Sequence, residues 1–217
     1  MKKHLYLMLD TETAGGFITP YVYDLGGAVI DRDGNVYESF SFVIKEIWHD
    51  HWELLKTAYF VEKLPDYFRQ LLLDERQLID IKNAKSYIES LCEQYNIKAI
   101  VAHNAKFDYN ALNTTQKFLT EENDFLPFGI PIWDTLKMAQ DVIATKKSYI
   151  KFCQENGYMT KHKKPRPQLK AEVLYRFITN DINFVESHTG LEDALIEKEI
   201  FAYCIKQRKA MRRNLFE

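Results

Sequence analysis

Leu5-Tyr6-Leu7-Met8-Leu9-Asp10-Thr11-Glu12-Thr13 puts five apolar residues in succession ahead of two acids spaced two apart. A run that is apolar at odd and even positions alike does not suit a strand with one wet face. It suits a strand covered by helices on both sides of a sheet. The stretch therefore predicts a central strand. Asp10 and Glu12 stand at its carboxyl end and point to the same side, because side chains alternate with period two.

Working outward, residues 25–30 and 36–44 read as two more strands, joined across Asp31-Arg32-Asp33-Gly34-Asn35, where Asp-Gly is a hairpin signal. Residues 47–68 turn aromatic and helical without a clear period. Asn83 is placed to cap a helix carrying Ala84, Ile88, Leu91, Cys92 and Tyr95 on one face. A short strand at 99–102, a helix at 106–119, a short strand at 130–133 with Asp134 as the next helix cap, and helices near 148–156, 169–178 and 191–208 complete the chain. This order predicts one α/β domain over residues 1–217, with a mixed five-stranded sheet, helices on both faces and three parallel strands. Ligands in such sheets sit beyond the carboxyl ends of the strands.

Composition sets the outer limits. The chain has 217 residues, 46% hydrophobic and 14% aromatic, with 29 basic against 31 acidic side chains. Disorder and collagen-like repeats are excluded. No apolar run reaches the roughly 18 residues a membrane helix needs, so no membrane association is expected. The apolar run after Met1-Lys2-Lys3 stops at Asp10, short of a secretory signal. Three scattered cysteines, Cys92, Cys153 and Cys204, suggest neither a disulfide framework nor a zinc site, and a cytoplasmic location is expected. A near-neutral net charge of -2 hides two basic clusters: Lys161, Lys163, Lys164, Arg166 and Lys170, and Lys206, Arg208, Lys209, Arg212 and Arg213. The first reads equally as a flap for single-strand phosphates or as a solvated loop, the second as a charged helix end.

The acids carry the chemistry. Asp108, just after His103-Asn104 at the end of a parallel strand, starts a helix at the same end of the sheet as Asp10 and Glu12, and Asp193 lies in the first turn of the last helix. Four carboxylates drawn to one spot repel unless cations sit among them, and hard oxygen donors select magnesium or manganese. Two such ions suit in-line phosphoryl displacement, with His188 as a base of suitable pKa near neutrality.

These segments resemble the DEDD exonucleases of the DnaQ-like type, on the ribonuclease H-like fold. The matching segments are Leu9-Asp10-Thr11-Glu12-Thr13, His103-Asn104-Ala105-Lys106-Phe107-Asp108 and His188-Thr189-Gly190-Leu191-Glu192-Asp193-Ala194, with a minor Asp134-Thr135-Leu136 turn. Histidine five before the last aspartate marks the histidine (DEDDh) branch, which also holds ribonuclease T. The resemblance implies a 3′-to-5′ exonuclease acting on single-stranded or frayed nucleic acid 3′ ends and releasing nucleoside 5′-monophosphates. It implies two Mg²⁺ ions, with Mn²⁺ able to substitute. Asp10, Glu12, Asp108 and Asp193 would be the metal ligands, His188 the base, and Thr11, Thr13, Asn104 and Phe17 substrate contacts. A role for His103 in ordering the strand end is a separate expectation. DNA is placed slightly before RNA, and any polymerase or repair partner would be another chain. An RNA-trimming enzyme with the same site, a catalytically silent binding module and an endonuclease of the same architecture are the competing readings. The family's usual turn near the terminal sugar is replaced by residues 47–68, where Trp48, His49, His51, Trp52, Tyr59 and Phe60 are candidates for that contact.

Overall fold

In the computed structural model, which describes residues 3–16 and 18–216, the opening apolar run becomes β1 (Leu5–Ala14). Its odd-numbered Leu7 and Leu9 sink into one apolar layer and its even-numbered Tyr6 and Met8 into another. The strand is thus covered on both faces, as an unbroken apolar run requires. β2 (Tyr21–Asp31) and β3 (Val36–Ile44) extend the sheet antiparallel to it. Between them the Asp31 carboxylate accepts from the backbone N–H groups of Asp33 and Asn35, and Gly34 takes a positive φ of 88°, which glycine adopts without steric cost.

β4 (Gln77–Ile79), β5 (Ile100–Ala102) and β6 (Ile132–Asp134) complete a sheet of order β4-β3-β2-β1-β5-β6. β5 and β6 run parallel to β1 through β5, and β4 runs parallel to β3. The mixed α/β architecture is the one expected, but the sheet has six strands rather than five. The sixth, β4, is a three-residue edge strand next to the aromatic segment, too short to show any period of its own.

One face carries α1 (Trp52–Leu55), α2 (Leu64–Leu72), α3 (Ile81–Gln94) and α4 (Lys106–Thr120), all contributing to the layer that holds Leu7 and Leu9. The other face carries α5 (Thr135–Val142), α6 (Lys147–Glu155), α7 (Ala171–Thr179) and α8 (Gly190–Lys206), packed with Tyr6 and Met8. Asp134 caps α5 as expected, accepting from Leu136 N–H at 2.8 Å. Asn83 does not cap α3. Asp80 does, accepting from the Asn83 N–H at 2.9 Å, because the buried helical face begins two residues earlier, at Ile81. Among the described residues no helix is long and apolar enough to cross a membrane, and Cys92, Cys153 and Cys204 are free and buried.

Candidate active site

The carboxyl ends of β1, β5 and β6 point the same way, and the polar residues gather there. On β1, Asp10 and Glu12 continue the even-numbered face, toward α8. Thr11 continues the odd-numbered face, toward α4, where its hydroxyl donates to Asp108 Oδ1 at 2.8 Å. From α8 comes Asp193, whose carboxyl accepts from Ser187 Oγ at 3.4 Å and from the His188 backbone N–H. Carboxylate oxygens of Asp10, Glu12 and Asp193 all lie within 4.8 Å of one another. Asp108 stands outside that trio, held by Thr11, yet close enough to Asp10 and Glu197 to act on their charges.

Two glycines allow this convergence. Gly26 pairs with Asp10 across the sheet, and a Cβ on it would fall 1.8 Å from the Leu191 nitrogen. A Cβ on Gly190 would meet the Gly26 nitrogen at 2.6 Å and the Asp10 carbonyl oxygen at 3.1 Å. The start of α8 thus rests directly on strand backbone. Asp24, fully buried on β2, fixes the contact by accepting from Gly190 N–H at 2.8 Å. Asp24 is itself paired with Arg76 at 3.2 Å and accepts from Tyr67 Oη at 2.5 Å, and Arg76 reaches Glu192 of α8 at 3.0 Å. This buried network clamps β2, α2, the start of β4 and α8 together. A buried pair of this kind is costly to break from one side.

A fifth acid, Glu197, joins the site one helical turn beyond Asp193. It is 3% exposed, accepts from the His103 backbone N–H at 3.0 Å and raises the pKa of Asp10. Sequence patterning did not single it out, although an acid four residues after another acid on an otherwise apolar helix face, between Ala194 and Ile200, is a usable signal. His103 has the ordering role expected of it: its ring nitrogens meet Thr135 Oγ1 at 2.9 Å and the Leu169 carbonyl at 2.7 Å. A carbonyl only accepts, so Nε2 carries the hydrogen.

Burial, followed by mutual repulsion, pushes these acids upward. Glu12 rises to about 9 through burial and then Asp193, Asp193 to about 8 through burial and then Glu186, and Asp108 to about 7 through burial, opposed by the Thr11 hydrogen bond. Asp10 and Glu197 are raised well above the carboxylate range, first by burial and then by neighbouring acids. No lysine or arginine is among the leading influences on Asp10 or Glu12. A crowd of oxygen donors without a cation of its own fits a hard divalent ion.

A pH dependence follows. Folded-state pKa values above the unfolded ones mean that these acids favour folding fully below the ordinary carboxylate range, near 3.8 to 4.5, and lose that contribution as pH rises toward about 9. The chelated protein should therefore melt at a lower temperature near pH 9 than near pH 5. Added magnesium should raise Tm more at the alkaline end, where the ligands shed their protons readily. A magnesium-induced shift equal at both pH values, or absent, would detach the acid cluster from metal binding.

His188 sits in left-handed backbone, φ 56°, one residue before the cap of α8. Its ring lies flat on Phe60, 3.9 Å between centroids and 9° from parallel, and Nδ1 is 3.7 Å from Glu186. Burial lowers its pKa. Of the aromatic segment, Trp48 is buried in the core, while Tyr59 stands exposed against the edge of Phe60. Among the expected substrate contacts, Thr11 is buried with its hydroxyl on Asp108, and Thr13 is half-buried next to the acids. Asn104 is exposed in left-handed backbone with its N–H on Asp134. Phe17 lies outside the described residues.

No known family profile and no curated protein matches the chain. Solved structures do. E. coli exonuclease I in complex with a dA16 oligonucleotide matches over 95% of this chain at 16% identity, with a TM-score of 0.53. Cell-death related nuclease 4 matches over 98% at 13% identity, with a TM-score of 0.50. The chain spans 41% of the length of the first and 67% of the second. What this likeness establishes is the architecture, a ribonuclease H-like α/β sheet of the kind these nucleases build.

Proposed function

We propose that the chain is a single-domain, divalent-metal-dependent 3′-to-5′ exonuclease of the histidine branch, releasing nucleoside 5′-monophosphates from single-stranded or frayed ends. The reading rests above all on the carboxylate oxygens of Asp10, Glu12 and Asp193 within 4.8 Å of one another at the carboxyl end of β1. The fold likeness to exonuclease I, seen with a deoxyoligonucleotide, supports a nucleic acid substrate, and DNA is the substrate we put first.

Asp10, Glu12 and Asp193 would hold magnesium or manganese, with Asp108 of α4 completing the set. The bound ions, two by the chemistry of such reactions, supply charge stabilisation for the attacking and leaving oxygens of the phosphoryl transfer. The chain supplies the rest. His188 is neutral around pH 7 because burial lowers its pKa. The Glu186 carboxyl faces Nδ1 across 3.7 Å, beyond direct hydrogen-bond reach, and the base role requires the ring hydrogen to sit on that nitrogen. Nε2 is then left with a lone pair to take the proton of an incoming water. Phe60 fixes the plane of the ring by stacking on one face. Thr11 holds the Asp108 carboxyl in a single orientation.

Incubation of end-labelled DNA and RNA oligomers with magnesium, against a chelator control, tests the proposal. Stepwise loss of nucleotides from the 3′ end is expected, and internal cuts or simple retardation would overturn it. His188→Ala should lower kcat by about 10²- to 10⁴-fold, the range of general-base catalysis, and keep the magnesium-induced rise in Tm. A variant that loses stability yet turns over like the wild type would make His188 a structural residue.

A further inference from the structure

The two basic clusters have different fates in the fold. At the C-terminus Arg212 forks onto Asp141, with contacts at 3.0 and 2.7 Å, and Arg213 lies over the Trp133 ring at 4.3 Å. That cluster fastens the chain end across α5 and β6. Residues 158–169 behave otherwise. They form a hairpin closed by Thr160 N–H to the Arg166 carbonyl at 2.8 Å, Gln168 N–H to the Tyr158 carbonyl at 2.9 Å and a bridge between Met159 and Pro167. Its base is bolted down. Tyr158 N–H donates to the Cys153 carbonyl, Arg176 donates to Tyr158 Oη at 2.6 Å, and His103 holds the Leu169 carbonyl. Its tip presents Lys161, Lys163, Lys164 and Arg166 to solvent. None of the four has an ion-pair partner among the described residues, and no acid occurs between Glu155 and Glu172.

The hairpin leaves the fold at the acid site. His103, which grips Leu169, also donates its backbone N–H to Glu197. Lys170, the next residue, is close enough to His188 and Glu186 to influence both charges. Between the hairpin and α5 runs an open groove of about 680 Å³, lined among others by Leu136, Gln140, Thr160, His162, Arg166 and Leu169. It starts beside Thr135 and Leu169, the two partners of His103. An acid-lined pocket repels a polyanion, so phosphates beyond the reacting one need cations elsewhere. Lys170 stands beside the site, and the hairpin that precedes it adds four more cations without ion-pair partners among the described residues.

We propose that the hairpin of residues 158–169 is the backbone-binding arm for single-stranded nucleic acid, Lys161, Lys163, Lys164 and Arg166 contacting successive phosphates of the strand that leads away from the site. The inference rests on the nuclease reading for its substrate class, but binding tests it separately. The variant K161E/K163E/K164E/R166E is compared with K161R/K163R/K164R, which keeps every charge. Binding of labelled deoxythymidine and uridine oligomers is measured by anisotropy against salt concentration, in an Asp10→Asn background so that nothing is cut.

The glutamate variant is expected to raise Kd at least about tenfold. It should also flatten log K against log salt by about 0.7 for each single-strand phosphate no longer engaged. The arginine variant should bind like the parent. When the glutamate substitutions are made in the enzyme that retains Asp10, KM should rise more for a long oligomer than for a dinucleotide. An unchanged Kd and slope in the glutamate variant overturns the arm, whether or not the protein cuts. Equal weakening toward polyglutamate, a polyanion without phosphates, also counts against it. A wild-type protein that cuts nothing with magnesium overturns the nuclease reading instead, and leaves the arm to stand or fall on binding.

Discussion

Asp10→Asn is expected to lower kcat by about 10⁴-fold while leaving the chelated protein as stable as the wild type, and more stable at high pH. The loss follows from removing one anionic ligand at the centre of the cluster. Several kcal/mol of charge stabilisation act through such a site, and each 1.36 kcal/mol is about tenfold in rate. The stability result follows from electrostatics with the opposite sign. Asp10 is raised well above the carboxylate range by burial and then by Glu197, Asp108, Asp193 and Glu12, so in the metal-free protein it is a protonated acid that resists ionising. Asparagine matches that neutral form in shape and cannot ionise. The decline in Tm with rising pH should therefore become shallower, and the magnesium-induced shift should shrink. Lost turnover together with a metal-free Tm many degrees below wild type would instead make Asp10 a packing residue. Full turnover would remove it from the site altogether.

The fold was legible where information is local. Five apolar residues ahead of Asp10 could be read as a strand covered on both faces because the two layers leave no polar position to hide. The Asp-Gly turn at 33–34 fixed the neighbouring hairpin through backbone chemistry. Asp134 was readable as a cap because it stands between a strand and a helical period. The candidate site was legible to the extent that its acids fall at strand and helix ends. What stayed hidden depends on partners far apart in the chain. Asp24 is 52 residues from Arg76 and 166 from Gly190, so an acid inside an apolar strand gives no hint of what neutralises it. β4 exists because Phe42, Val43 and Ile44 offer an edge to Gln77, Leu78 and Ile79, not because three residues carry a strand pattern. The same holds for Phe60, whose role as the stacking partner of His188 depends on a fold that closes 128 residues of chain.

The glycines beneath α8 give the second large effect. Gly26→Ala is expected to lower Tm by on the order of 10 °C and kcat by about 10²-fold or more. A Cβ at position 26 would lie 1.8 Å from the Leu191 nitrogen and 2.1 Å from the Gly190 carbonyl carbon. Those are backbone atoms of a helix end, not the tip of a side chain that can swing away, so the helix itself must move. Overpacking of this kind costs roughly 1–3 kcal/mol or more, and a chain of this size loses about 2–4 °C per kcal/mol. The displacement acts on chemistry because Asp193 rides on the same turn of α8, and a shift of about 1 Å at a reacting site can cost about 10² in rate. Gly129→Ala is the matched control. Its φ is +84° and nothing lies within 4 Å of its added Cβ, so it carries backbone strain without collision and should retain wild-type kcat. The coupling is checked by a double-mutant cycle with Asp193→Asn. If Gly26 acts by holding Asp193 against Asp10, the second substitution should cost little further activity once the first is present. Additive losses would mean that the close approach of β2 and α8 supports the fold without setting the geometry of the acids.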